Sequence, residues 1–167
     1  MNRYRIQSLL GFALYLIYGC ASAAAASTDQ DSHLAPAVAK VMLQRAATTT
    51  LLTYCGQQYP QLHAAADRAT AFWLQHNQAV LDKASRLHQQ ILRDIKQTQS
   101  QFAAEMFALD IDRSVEHTVQ EFKSTLAAYP VQQQHTVCNR LILSVRNGDW
   151  DVRHKQAEAF SLLQKYP

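Results

Sequence analysis

Between Pro60 and Pro130 the chain contains neither glycine nor proline, and apolar residues recur through that stretch at intervals of three and four. That spacing places them on one face of an α-helix, and nothing in the stretch breaks the backbone. One face reads Leu62, Ala65, Ala66, Ala69, Phe72, Trp73, Val80, Leu81, Ala84, Leu87, Ile91, Ile95, Phe102 and Met106. The phase predicts a rod from Pro60 or Gln61 to at least Lys96. The uncharged run Gln97-Thr98-Gln99-Ser100-Gln101 is the place for a break, if the rod has one.

The rest of the chain carries the same signal between sparse breakers. A first helix is expected from Ala37 to Cys55, with Pro36 at its first position and Gly56 as the left-handed residue beyond its end. Its face is Val38, Val41, Met42, Leu52, Cys55 and Tyr59, and Thr48-Thr49-Thr50 is a weak point because β-branched residues lower helix propensity. Asp110 and Asp112 mark the next start, followed by Val115, Val119, Phe122, Leu126 and Tyr129. Pro130 opens a helix with Val137, Cys138, Leu141, Ile142 and Val145 on its inner face, and Gly148 ends it. Asp149 or Asp151 caps a last helix with Val152, Ala159, Phe160, Leu163 and Tyr166. The fold class that follows is an all-α bundle of five to six amphipathic helices, one of them long and central. It forms a single helical domain over residues 37–167.

The N-terminus is of another kind. Arg3 and Arg5 precede an uncharged apolar run from Leu9 to Tyr18, and small residues follow from Gly19 to Ala26. A basic start, a short apolar core and an A-x-A-like stretch make up a secretory signal. Ten helical residues span about 15 Å, half of the ~30 Å hydrocarbon core of a bilayer. Residues 1–26 are therefore read as a signal peptide cleaved near Ala23 or Ala26, and 27–36 as a flexible leader. Ile17-Tyr18-Gly19-Cys20 resembles a bacterial lipobox, which would make Cys20 the lipidated first residue. Tyr18 departs from that pattern, which prefers a small or β-branched residue there, so ordinary cleavage is favoured.

Charge excludes one class of partner. The formal net charge is +3, and Arg3 and Arg5 supply two of it, leaving +1 on the processed chain. No clustered basic face marks a nucleic-acid partner, and no basic amphipathic stretch marks a membrane surface. Membrane association of the processed chain would require lipidation of Cys20.

Motifs for chemistry are sparse. There is no G-x-S-x-G, H-E-x-x-H, C-x-x-C or glycine-rich phosphate loop. None of the seven histidines stands three or four residues from another, the spacing that puts two imidazoles on one helix face. His63 with Asp67 and His117 with Glu121 are i,i+4 half-sites at most. Asp110-Ile111-Asp112 and Asp149-Trp150-Asp151 resemble metal-gripping triplets, but each precedes an amphipathic stretch, where aspartate caps backbone N–H groups. No catalytic residue, metal or cofactor is implied. Trp73 on the rod is expected in the core, with a partner for its indole N–H. Trp73 and Trp150 are the two side chains suited to anchor a protein partner if they are exposed.

Cysteine parity supplies the strongest expectation. Cleavage discards Cys20 and lipidation consumes its thiol, so two thiols remain either way. In an oxidising compartment Cys55 and Cys138 are expected to pair. The functional expectation is an exported, periplasmic or secreted, helical protein that binds an unidentified protein partner as an inhibitor, immunity factor or envelope scaffold. The alternative is a helical enzyme whose site converges from several helices.

Overall fold

The computed structural model describes residues 33–167, so the signal-like segment, Cys20 and most of the expected leader lie outside the described residues. Among the described residues, six α-helices and one 3₁₀ turn make up the fold. They are α1 (Leu34–Gln58), the turn Pro60–Leu62, α2 (His63–Thr98), α3 (Gln101–Ala127), α4 (Val131–Arg146), α5 (Val152–Lys155) and α6 (Ala157–Gln164). No strand occurs among the described residues. None of their helices is long and apolar enough to cross a membrane.

The longest helix is α2, with 36 residues, or about 54 Å of rod. The most enclosed helix is α1, which packs against α2, α3, α4 and α6. Its buried residues include Ala37, Val38, Val41, Leu43, Ala47, Leu51, Leu52 and Cys55, which run most of the way round it. That enclosure explains why the threonine run does not break α1: Thr48 is 1% exposed and helical, because packing outweighs a propensity cost of a few tenths of a kcal/mol per residue. The helix also starts earlier than expected, at Leu34. Pro36 is still tolerated, since N–H groups in the first turn have no helical partner to lose.

Gly56 has a different role from the expected one. It lies inside α1, and a Cβ there would stand 3.3 Å from both Ala66 Cβ and His63 Cα. Its missing side chain lets the last turn of α1 approach the first turn of α2. The chain then reverses through Tyr59, with Leu62 N–H donating to Tyr59 O at 2.7 Å. The two helices run antiparallel, so Arg45 and Met42 lie against Ser85.

The break in the long apolar phase falls inside the glutamine-rich run. Thr98 ends α2, and Ser100 caps α3 by accepting from Ala103 N–H at 3.1 Å. The expected start at Asp110 and Asp112 is thereby corrected: both lie in mid-helix on the surface, and Asp110 sits 3.7 Å from Arg113. Phe102 is corrected as well. It is 70% exposed because the new helix sets its own phase and buries Ala104 instead. On α2, Phe72 is 42% exposed while Trp73 is 1% exposed. Adjacent residues lie ~100° apart round a helix, so only one of the two aromatics points inward, and it is the larger.

The second half follows the sequence more closely. Val119 and Leu126 of α3 are buried, as are Cys138, Leu141, Ile142 and Val145 of α4. Pro130 caps α4, and Gly148, at φ +85°, stops the chain after it. The expected last helix is two helices, α5 and α6, divided at Gln156 (φ −127°, ψ 44°). Neither glycine nor proline marks that division in the sequence.

Cys55 and Cys138 form a disulfide with 5.4 Å between their Cα atoms. Both residues are fully buried. The bond joins α1 to α4 across a separation of 83 residues. Around it, Tyr59 OH donates to Gln134 Oε1 at 3.1 Å, and Tyr54 meets Phe122 edge-on at 6.2 Å. Closing a loop of that length restrains the unfolded chain by roughly 4.5 kcal/mol in the chain-entropy model, against the ~5–15 kcal/mol of a typical domain. Reductant, Cys55→Ser and Cys138→Ser should therefore lower the melting temperature substantially and to a similar extent, as read by circular dichroism. Gly148→Ala should cost about 1–2 kcal/mol in urea unfolding. A Cβ there meets nothing within 4 Å, so the loss would come from backbone conformation alone.

Candidate functional site

The interior of this bundle carries a polar seam where the loop after α4 docks. The loop runs from Gly148 to Asp151, and it presents the Trp150 carbonyl to the core. A buried carbonyl must find donors, and this one finds two: Trp73 Nε1 donates to it at 2.7 Å from α2, and Gln44 Nε2 at 2.8 Å from α1. Asn77, one turn beyond Trp73 on the same face, completes the docking. Its Nδ2 donates to Trp73 O at 2.9 Å, and its Oδ1 accepts from Val152 N–H at 3.0 Å. Gln44 and Asn77 are each 2% exposed, so these bonds form away from water, where an unmade one is costly.

The seam reaches the surface at Asp151. Its residue is 3% exposed, and its carboxylate caps α5 by accepting from Arg153 N–H at 2.8 Å. The Arg153 side chain folds back onto the same carboxylate, with Nη2 donating to Oδ2 at 2.6 Å and Nε within 3.1 Å of both oxygens. His76 Nε2 lies 2.9 Å from Asp151 Oδ2. Burial by itself would raise the Asp151 pKa. The hydrogen bonds from the Arg153 side chain and backbone, then that from His76, outweigh burial and hold it at about 2. The Arg153 guanidinium is correspondingly pushed up by Asp151.

His76 stacks on Phe72, with ring centroids 5.6 Å apart and planes 9° from parallel. Arg153 Nη2 also approaches His76 Nε2. That nitrogen serves one partner at a time: carrying a proton it donates to Asp151, and without one it accepts from Arg153. An imidazole positioned by a buried carboxylate is half of an acid–base pair. Its polar contacts here are Asp151 and Arg153.

The other sequence candidates are scattered. Trp73 takes the core role, with its indole N–H satisfied. Trp150 is 9% exposed, so neither tryptophan offers a ring face at the surface in this conformation. Of the four triplet aspartates, Asp151 is a cap, Asp149 accepts from Ser144 Oγ at 2.9 Å, and Asp110 and Asp112 stand on α3. The His63–Asp67 and His117–Glu121 pairs form at 3.4 Å on exposed helix faces. No group of three or more His, Cys, Asp or Glu converges among the described residues. A cavity of about 590 Å³ lies between the start of α1 and α6, lined by His33, Pro36, Lys40, Glu158, Leu162 and Lys165 among others. None of the seam residues lines it.

Sequence reasoning missed Gln44, His76, Asn77 and Arg153. Asn77 did carry a signal, a polar residue one turn after Trp73 on the apolar face. Arg153 folds onto Asp151 only two residues away, but the partners that dock the loop onto α1 and α2 stand 75 to 106 residues apart in sequence, and no local pattern reports those. Comparison with protein-family models, curated proteins and solved structures finds no match to the chain.

The depressed Asp151 pKa sets the sign of a pH effect. Its folded pKa, about 2, lies below the ordinary 3.8. Its contribution is complete above about pH 4 and is lost as pH falls toward 2. Asp151→Asn should cost about 2 kcal/mol at pH 7. The gap to the wild type should narrow in urea unfolding between pH 4 and pH 2. A gap that stays constant across that range would contradict the assignment.

Proposed function

We propose that this chain is an exported helical protein that acts by binding another protein, as an inhibitor, immunity factor or envelope scaffold. The observation that carries export is the buried Cys55–Cys138 disulfide. Such bonds persist in oxidising compartments and are rare where glutathione keeps thiols reduced. The basic-then-apolar N-terminus agrees with it. Action by binding is supported by how the polar groups are used. Gln44, Trp73, His76, Asn77, Asp151 and Arg153 hold the C-terminal loop onto α1 and α2. That builds a fixed shape from groups that would otherwise be candidates for chemistry.

One observation favours the alternative of a helical enzyme: His76 is held by a buried carboxylate from a distant loop. In that reading His76→Ala abolishes turnover without unfolding the chain.

Fractionation and intact mass of the expressed full-length chain test export. The expected product is extracytoplasmic, oxidised and cleaved near Ala23 or Ala26. A lipid-modified mass beginning at Cys20 would instead place the protein on a membrane. A full-length cytoplasmic product with two free core thiols would sink the proposal. For binding, the processed chain is cross-linked in periplasmic extract with and without an excess of unlabelled chain. A partner band that competes away is expected, and bands that ignore the competitor count against a binding module.

A further inference from the structure

Several helical threonines of this protein make a bond that Thr48 does not make. Thr49, Thr70, Thr98 and Thr118 each donate their hydroxyl to the carbonyl one turn earlier. That bond is always within reach of a helical threonine and satisfies the hydroxyl locally. Thr48 is 1% exposed, and its Oγ1 has no partner in the protein.

One turn earlier on the same face stands Gln44, 2% exposed, whose Oε1 is also without a protein partner. The amide orientation is fixed, because Nε2 donates to Trp150 O. Turned over, the amide would set its own oxygen against that carbonyl. The carbonyl already takes the Trp73 indole and has no proton to give. Gln44 and Thr48 thus bring a fixed acceptor and a hydroxyl onto one helix face a turn apart, both buried and not bonded to each other. Two orphans of complementary chemistry are rare in native interiors, and such groups are typically joined by ordered water.

We propose that one buried water bridges Gln44 Oε1 and Thr48 Oγ1. It donates to the glutamine oxygen and accepts from the threonine hydroxyl. The seam that docks the C-terminal loop then runs from Trp73 through Trp150 O and Gln44 to the water and Thr48. The site takes a single small molecule able to donate and accept at once. It couples the middle of α1 to a loop that arrives from the other end of the sequence.

The isosteric change Thr48→Val decides the question by sign. If the hydroxyl holds a water, Val removes a made bond and strands the solvent site, and the melting temperature falls by roughly 3 °C. Thr48→Ser keeps the hydroxyl and should retain the water. If the hydroxyl is a true orphan, Val relieves a burial cost, so an unchanged or raised melting temperature overturns the proposal. A high-resolution crystal structure of the wild type supplies a readout independent of variant folding. An ordered water within ~3 Å of both atoms is expected, and its absence there overturns the proposal equally.

Discussion

The Trp150 carbonyl is the contact on which the arrangement of this bundle depends. It leaves a loop just after a glycine with positive φ and enters a core where water cannot serve it. Its two donors come from two different helices, the Trp73 indole of α2 and the Gln44 amide of α1. A carbonyl with two lone pairs and two fixed donors allows little variation in where the three elements sit. The neighbouring residues inherit that placement. Asp151 can cap α5 and meet His76, and Val152 can reach Asn77, because Trp150 is already docked. The apolar residues of the C-terminal segment, Val152, Ala159 and Leu163, then close the core.

The disulfide acts on the same framework from the other end of α1. Gln44 is tied to the C-terminal loop, and Cys55, three turns on, is tied to α4. The most enclosed helix is thus fixed at two points by contacts 106 and 83 residues apart in sequence. The α1–α2 pair is local in sequence, whereas the bond to Cys138 and the bonds to Trp150 close long loops. The energetic consequence is that loss of the cross-link acts mainly by freeing the unfolded chain, while loss of a seam residue leaves a buried polar group unpaired.

Placing polar residues inside a helical core also shapes what can be said of function. Groups that resemble catalytic machinery, an imidazole beside a buried carboxylate with an arginine over it, are here engaged in capping a four-residue helix and anchoring a loop. Shifted carboxylates are found at active sites and also arise from structural ion pairs. The polar neighbours of the imidazole are the carboxylate of Asp151 and the guanidinium of Arg153.

The sequence by itself determined the helical class, the one place where the long apolar phase could break, the stops at Pro130 and Gly148, the inner faces of α3 and α4, and the pairing of Cys55 with Cys138; that the rod does break there was decided by the tertiary structure. Each is a local or parity statement: periodicity, a breaker, or two thiols left over. What only the tertiary structure decided was which residue of an ambiguous set faces a partner. Phe72 turns outward although periodicity put it on the same face as Trp73, because the Trp150 carbonyl takes the Trp73 indole N–H. Gly56 serves close packing and not a left-handed turn, because α2 folds back against it. Asp151 caps a helix while Asp110 does not, because Ser100 had already started α3. Gln44 is buried because a carbonyl more than one hundred residues away needs its amide. Helical periodicity is written in neighbours three and four apart, whereas hydrogen-bond partners are chosen by a docking that no local window contains.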